Sequence, residues 1–369
     1  MAVENREGTM ASPLSRILFC AATSLLLASP VHAEEPFYKN KQLTLLINFA
    51  AGGPTDIEGR LLAKHIVKHI AGHPNIVVEN KDGAAGTVGA TYLGELGPRD
   101  GSMVGYFTGT AWNYLVAPNK FRVDFRNYAF VGDQPGTTVY YIRTDIPPGM
   151  KVPADVMKAQ GLVMGGLGRD SSKDLLQRLT FDMLGLKYRY VTGYRSSNTA
   201  RLALQNGEVN MHSESSPSYF GVVEPSLVKT GKVLPLWYDP ASDGKTLRPY
   251  EIMAHTGIAT FPDFYRAVKG SAPSGPLWEA YKTNLTINGQ LQRLIVMPPG
   301  TPPAAVAALR KALRALNDDK DYAADAMKAI QFVPHYEVRD DMDQEVRERL
   351  TVPDEMRTFI LSYMKQADK

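Results

Sequence analysis

One short run groups residue types suited to binding an anion: Phe49-Ala50-Ala51-Gly52-Gly53-Pro54-Thr55-Asp56-Ile57-Glu58-Gly59-Arg60. An alternating apolar stretch, Gln42 to Phe49, precedes it, and apolar residues at helical spacing follow. The glycines therefore sit where a strand turns sharply into a helix, and glycine lets a ligand approach the backbone closely. Thr55 and Glu58 have the spacing of a capping box, which puts the helix start at about Thr55. Amides of the loop and first turn then face the space beyond the strand end, an anion site that needs no cationic side chain. The guest such a site suits is a carboxylate or a phosphate. Phe49, Ala51, Gly52, Gly53 and Thr55 are its candidate contacts, while Asp56 reads as a helix N-terminal residue whose charge would repel a carboxylate. The loops 165–172 and 192–197 repeat the device, with Gly and Ser or Thr at a helix start, and 108–112 is a further strand-end loop holding Thr110. Ser171, Ser172, Thr192 and Ser197 can each donate to a ligand or cap a helix. Arg195 can pair bidentately with a carboxylate or stand in solvent.

Other chemistry finds little support. His65, His69 and His73 recur every four residues, a spacing that can bind zinc. They flank the apolar stripe on its solvated side, and a helix C-terminus favours positive charge there, so no metal is expected. Asp340-Asp341-x-Asp343 lacks the glycine and terminal Glu of a calcium loop and reads as a solvated acidic turn. No nucleophile elbow, zinc-protease, dinucleotide or Walker motif occurs. A hydrolase would have to rest on His212 beside Ser213 and Glu214. The formal charge of +3 is not gathered into a basic stripe, which argues against nucleic acid.

The elements that must position these residues alternate. A helix over 56–70 has an apolar face of Ile57, Leu61, Leu62, Ile66 and Ile70. A strand near 76–79, a helix over 87–96 and a strand over 103–107 complete a β-α-β-α-β unit, the pattern of a parallel sheet with covering helices. The pattern returns over 162–212, giving two α/β lobes. Residues 137–143 read as a crossover strand and 232–237 as its return; 249–289 has no clear period. Ahead of all this, Arg16, the apolar run Ile17 to Ala28 and Val31-His32-Ala33 read as a secretory signal cut after Ala33, with Met1 or Met10 as its start. Cys20 is the only cysteine, so the processed chain has no thiol chemistry.

With these motifs in order, the chain resembles the periplasmic solute receptors of tripartite tricarboxylate transporters, the Bug family. Phe49, Gly52, Gly53, Asp56 and Arg60 match its first loop, Val78 to Gly86 (VENKDGAAG) its Val-Glu-Asn-Lys element, and Pro98-Arg99-Asp100-Gly101 its Pro-x-Asp-Gly turn. Gly193-Tyr194-Arg195, Gly207-Glu208-Val209-Asn210 and Pro298 to Pro302 resemble later motifs. The resemblance covers most of 36–245 and about 291–335. It implies a two-lobed type II periplasmic binding fold, each lobe a mostly parallel sheet with flanking helices. Residues 34–138 would form the first part of lobe 1, 139–245 lobe 2, and 246–369 the rest of lobe 1 with a C-terminal tail. It also implies a carboxylate held by the Gly52-Gly53 loop and by Gly193, Tyr194 and neighbouring hydroxyls. The implied receptor is a monomeric periplasmic protein with no cofactor and no enzymatic activity, serving a permease of one large and one small membrane subunit. A ligand sensor for a membrane kinase is the alternative. Asn210, where the family usually has Asp, and Asp174, where many members have His, depart from the pattern.

Overall fold

The computed structural model describes residues 1–3, 8, 35–242 and 245–366. The expected signal segment, with Cys20 and Met10, lies almost wholly outside the described residues. The chain divides into two compact units, Met1–Pro36 and Phe37–Lys369. The few described residues of the first form no helix or strand, so every described helix and strand belongs to the second.

Two mixed five-stranded sheets form the frame of this second unit. The first sheet runs β2 (Asn75–Asn80), β1 (Gln42–Ile47), β3 (Met103–Thr108), β12 (Arg293–Met297), β4 (Ala129–Gln134). β1 is parallel to both β2 and β3, while β12 is antiparallel to β3 and β4. The second sheet runs β7 (Tyr188–Thr192), β6 (Leu162–Gly166), β8 (Met211–Ser215), β5 (Thr138–Arg143), β9 (Val233–Tyr238). β6 is parallel to β7 and β8, and β5 is antiparallel to β8 and β9. A small hairpin, β10 (Ala241–Ser242) with β11 (Leu247–Arg248), follows β9. The chain crosses from the first sheet to the second between β4 and β5 and returns just before β12. The crossings lie side by side: Gly136 N donates to Gly289 O at 3.0 Å and Gln292 Nε2 to Thr137 O at 3.4 Å.

The helices follow the expected periods closely. The first helix, α1, spans Pro54–Ile66, and a single 3-10 turn continues it over Val67–His69. Leu61, Leu62 and Ile66 are buried against the first sheet as expected, but Ile57 is exposed. The capping box does not form. Pro54 occupies the first helical position and Gly53 is the cap, because proline's fixed φ and missing N–H suit that place. Glu58 is left facing inward, fully buried. His65 also departs from the solvated side, being buried with Nε2 2.9 Å from Asp325. The helices α2 (Thr87–Leu96), α3 (Thr110–Val116), α4 (Ser172–Leu184) and α5 (Ser197–Gln205) complete the connections at the cleft.

The stretch without clear period forms α6 (Phe261–Lys269) and α7 (Pro276–Asn284), which pack on α4. Trp237 of β9 packs on Phe264 with ring centres 4.8 Å apart, and Tyr281 OH donates to Asp239 at 2.7 Å. The tail helix Asp354–Lys365 also reaches α4, where Tyr363 OH donates to Asp182 at 2.8 Å. By contrast, Pro303–Asn317 covers the first sheet. No described helix is long and apolar enough to cross a membrane.

Candidate functional site

The carboxyl ends of the parallel strands of both sheets meet around one cavity of about 90 Å³. From the first sheet, Phe49, Ala50, Gly53, Pro54 and Thr55 line it after β1, Ala85 after β2, and Thr108, Gly109 and Asn113 after β3. From the second come Leu167, Ser171, Ser172 and Lys173 after β6, Ser196 and Ser197 after β7, Ser215 at the end of β8 and Thr138 at the start of β5. Asn288, Gln292 and Arg293 close the side where the chain crosses back. Ligands of open α/β sheets bind at this end of the strands.

Side chains behind the first wall hold it rigid. Asn48 bridges β1 to the β3 loop, its Nδ2 donating to Thr108 O at 2.9 Å and its Oδ1 accepting from Thr108 N at 3.0 Å. Thr55 and Thr108 join hydroxyls at 2.9 Å. Asp56 accepts from Gly52 N at 2.8 Å, Asn80 Nδ2 at 2.9 Å and Arg60 Nε at 2.9 Å. Its role is therefore structural. This changes the expected amide cradle. The Gly52 amide is spent on Asp56, the Gly53 amide points to Ala50 O at 3.4 Å, and Pro54 has no amide. Below the wall Arg293 pairs with Glu58, its Nε donating at 3.0 Å, and both are fully buried.

The second wall is different in kind. Ser171 caps α4, its Oγ accepting from Asp174 N at 3.4 Å, and Ser172 Oγ donates to Asn284 Oδ1 at 2.6 Å. Lys173 Nζ donates to Ser197 Oγ at 3.0 Å and to Ser213 O at 2.7 Å. Burial pushes the Lys173 ammonium below the usual lysine range. Asp174 turns beneath the loop, accepting from Gly168 N at 2.8 Å and Tyr190 OH at 2.7 Å, and burial raises its pKa. Ser196, not Ser197, caps α5, which leaves the Ser197 hydroxyl to Lys173.

Of the residues the sequence singles out, Phe49, Gly53, Thr55, Ser171, Ser172 and Ser197 line the cavity. Ala51 and Gly52 are exposed beside it, and Thr110 is buried behind it, 3.4 Å from Asn48 Nδ2. Thr192, Gly193, Tyr194 and Arg195 are not among its lining. Thr192 ends β7, an edge strand, and 193–195 follow it at the margin of the sheet; the loop reaches the cavity only at Ser196 and Ser197, where α5 begins. Arg195 instead pairs with Asp82 of the opposite wall at 2.9 Å. The expected loop 108–112 does reach the cavity, through Thr108 and Gly109, whereas sequence reasoning missed Lys173, Asn113, Thr138, Ser215, Gln292 and Arg293. The Gly-Ser loop before Lys173 was a usable signal, since a lysine in the first turn of a helix opposes the helix dipole. Among the described residues no group of His, Cys, Asp and Glu is arranged to hold a metal. The hydrolase trio is sequestered: His212 is fully buried with Nδ1 2.7 Å from Gly165 O, and Glu214 is taken by Arg201 at 2.6 Å and Tyr141 OH at 3.1 Å.

No protein-family model matches the chain. Among curated proteins, a UPF0065 protein of the TAR-I ttuE-ttuC' intergenic region of Agrobacterium vitis is 29% identical over 205 residues, 53% of this chain and 57% of that protein. A UPF0065 protein of Bordetella pertussis is 25% identical over 315 residues, 82% of this chain and 84% of that one. The matched stretch thus spans just over half the length of the first relative and most of the second. The periplasmic binding protein BugD superposes with a TM-score of 0.63 at 18% identity, over 88% of this chain and 98% of its own. A Rhodopseudomonas palustris protein solved with malate gives 0.60 at 19% identity, over 87% and 99%. An R. palustris protein solved with adipate gives 0.63 at 19%, over 87% and 97%. The resemblance read from Phe49–Arg60 and Val78–Gly86 is borne out: this chain is similar in sequence to UPF0065 proteins and has the fold of Bug and TctC periplasmic binding proteins.

Proposed function

We propose that the chain is an extracytoplasmic receptor that captures a small organic carboxylate between its two lobes. The carrying observation is that hydroxyls and helix starts of both sheets converge on one cavity, with Thr55 from the first sheet facing Ser171 and Ser197 from the second. The malate and adipate bound to proteins of this fold support the ligand class. The lobes, one on each sheet, close about the paired crossings at Gly136 and Gly289, a hinge of the kind that serves domain closure. Phe49, Gly53 and Thr55 hold the ligand from lobe 1, and Ser171, Ser172 and Ser197 from lobe 2. The receptor acts as a monomer in the periplasm after cleavage near Ala33, without cofactor or turnover. It delivers its ligand to a tripartite tricarboxylate-type permease with one large and one small membrane subunit.

Thermal unfolding against a panel of organic acids tests this. A ligand at about a hundred times its Kd stabilises by about 2.7 kcal/mol, which raises the midpoint by several degrees. Gly53→Leu fills the cavity while keeping an accessible backbone, because Gly53 has φ −83°. A shift with one acid, lost in this variant, is expected. No shift with any acid after unfolding and refolding to release trapped ligand would defeat the proposal.

A further inference from the structure

We propose that Lys173 reads a second negative charge on the ligand, so that this receptor prefers small dicarboxylates to monocarboxylates of the same length. The inference rests on the receptor reading and deepens it. An ammonium has three donors. Lys173 spends two, on the Ser197 hydroxyl and the Ser213 carbonyl, both uncharged, and lines the cavity that the third can serve.

Its charged neighbours are already engaged. Asp174 is turned to Gly168 N and Tyr190 OH, and Glu214 is joined to Arg201 and Tyr141. Arg293, the other cation on the cavity wall, is neutralised by Glu58. Lys173 is thus the cation left without an ion pair among the described residues lining the cavity. A desolvated charge in that position is costly until a counter-charge joins it. A ligand carboxylate supplies that counter-charge.

Across the cavity, the first-turn amide of Thr55, which lacks an intrahelical acceptor, and its neighbouring hydroxyls meet the other end of the ligand. The cavity is small, about 90 Å³, which suits a small acid rather than a bulky one.

The test is calorimetric titration of refolded wild-type protein and Lys173→Met with succinate and glutarate, and with butyrate and valerate. Hydrogen bonds to charged groups are worth about ten- to a hundredfold in affinity. Wild type should bind the diacids at least about tenfold tighter than the monoacids. Lys173→Met should lose about ten- to a hundredfold on the diacids only, and its ligand-free melting temperature should not fall, because an uncompensated charge has been removed. Equal affinity of wild type for both sets, a preference that survives in the variant, or an equal loss on both sets would each overturn the assignment. Tight monoacid binding by wild type leaves the receptor reading standing, whereas failure of all acids to bind ends both.

Discussion

The two halves of the molecule dispose of buried charge in opposite ways. In the half built on the first sheet, each buried carboxylate near the cleft has a guanidinium: Glu58 with Arg293, Asp133 with Arg339 and Asp56 with Arg60. In the other half, among the described buried carboxylates, Glu214 alone does, with Arg201. Asp174 and Asp239 accept from tyrosines, and Lys173 donates to a hydroxyl and a carbonyl. The first wall is therefore a neutral scaffold set in advance. The second keeps charges whose state depends on what lies beside them, and ligand and pH are expected to act there.

The largest test of this contrast is Arg293→Met. It strands Glu58 in the interior and should cost about 3–5 kcal/mol of unfolding free energy, whereas Glu58→Leu with Arg293→Met should regain most of it. Urea midpoints that barely move would show that the first half does not depend on its ion pairs.

Next comes Asp239, which burial pushes up to about 7 against the donors Tyr281 OH and Tyr140 OH. Its carboxyl stays neutral in the folded chain while the unfolded chain ionises near 3.8. The stability it contributes is full below about pH 4 and is lost as the pH rises through about 7. Over that window the loss approaches about 4 kcal/mol at about 1.4 kcal/mol per pKa unit. Asp133 in the first half is also pushed up to about 7, burial outweighing Arg339 beside it, so it should lose stability over the same window. Asp239→Asn and Asp133→Asn should each flatten the pH profile of the melting temperature between about pH 4 and 7; a profile unchanged in Asp239→Asn would show that its carboxyl is not held neutral in the fold.

The glycine pair at the first wall separates site from scaffold. Gly53→Leu should weaken ligand binding about a hundredfold or more, about 2.7 kcal/mol, with little change in stability. Gly52 has φ +77° and nothing within 4 Å of an added Cβ. Gly52→Ala should therefore cost about 1 kcal/mol of stability through backbone strain alone and leave affinity unchanged. The smallest effect belongs to Arg195→Ala. Its pair with Asp82 has a side chain 80% exposed, and such pairs are worth about 0–1 kcal/mol. A large loss of affinity in this variant would restore the direct ligand contact that the edge position of β7 denies it.

Much of the scaffold was readable in the chain. Apolar periods located α1, α2, α4 and α5 and most strands of both sheets, because each element buries one clear face. Within 249–289 a stripe was there to be read in α6, where Phe261, Phe264, Tyr265 and Val268 share one face, but it is only about two turns long, and α7 has no comparable stripe. The site was half readable. Loops that continue directly from strands, such as Phe49–Thr55 and Ser171–Ser172, carry their own glycine and hydroxyl signal. Gln292 and Arg293 carry none; an antiparallel strand from far along the chain inserts beside β3 and brings its first residues to the same end. Ser215 was lost because β8 runs to 215, past the expected end at 212. The capping box failed because Pro54 outranks Thr55 as a helix starter.

The mouth of the cleft is bridged by Arg195 with Asp82 and by Lys120 with Asp170, each at 2.9 Å. The chain's only cysteine is Cys20, ahead of the expected cleavage site. Paired cysteines introduced at 82 and 195 would then be the sole thiols of the processed protein. Spin labels or a donor–acceptor dye pair placed there would turn the gap between the walls into a ruler, read molecule by molecule as ligand is added.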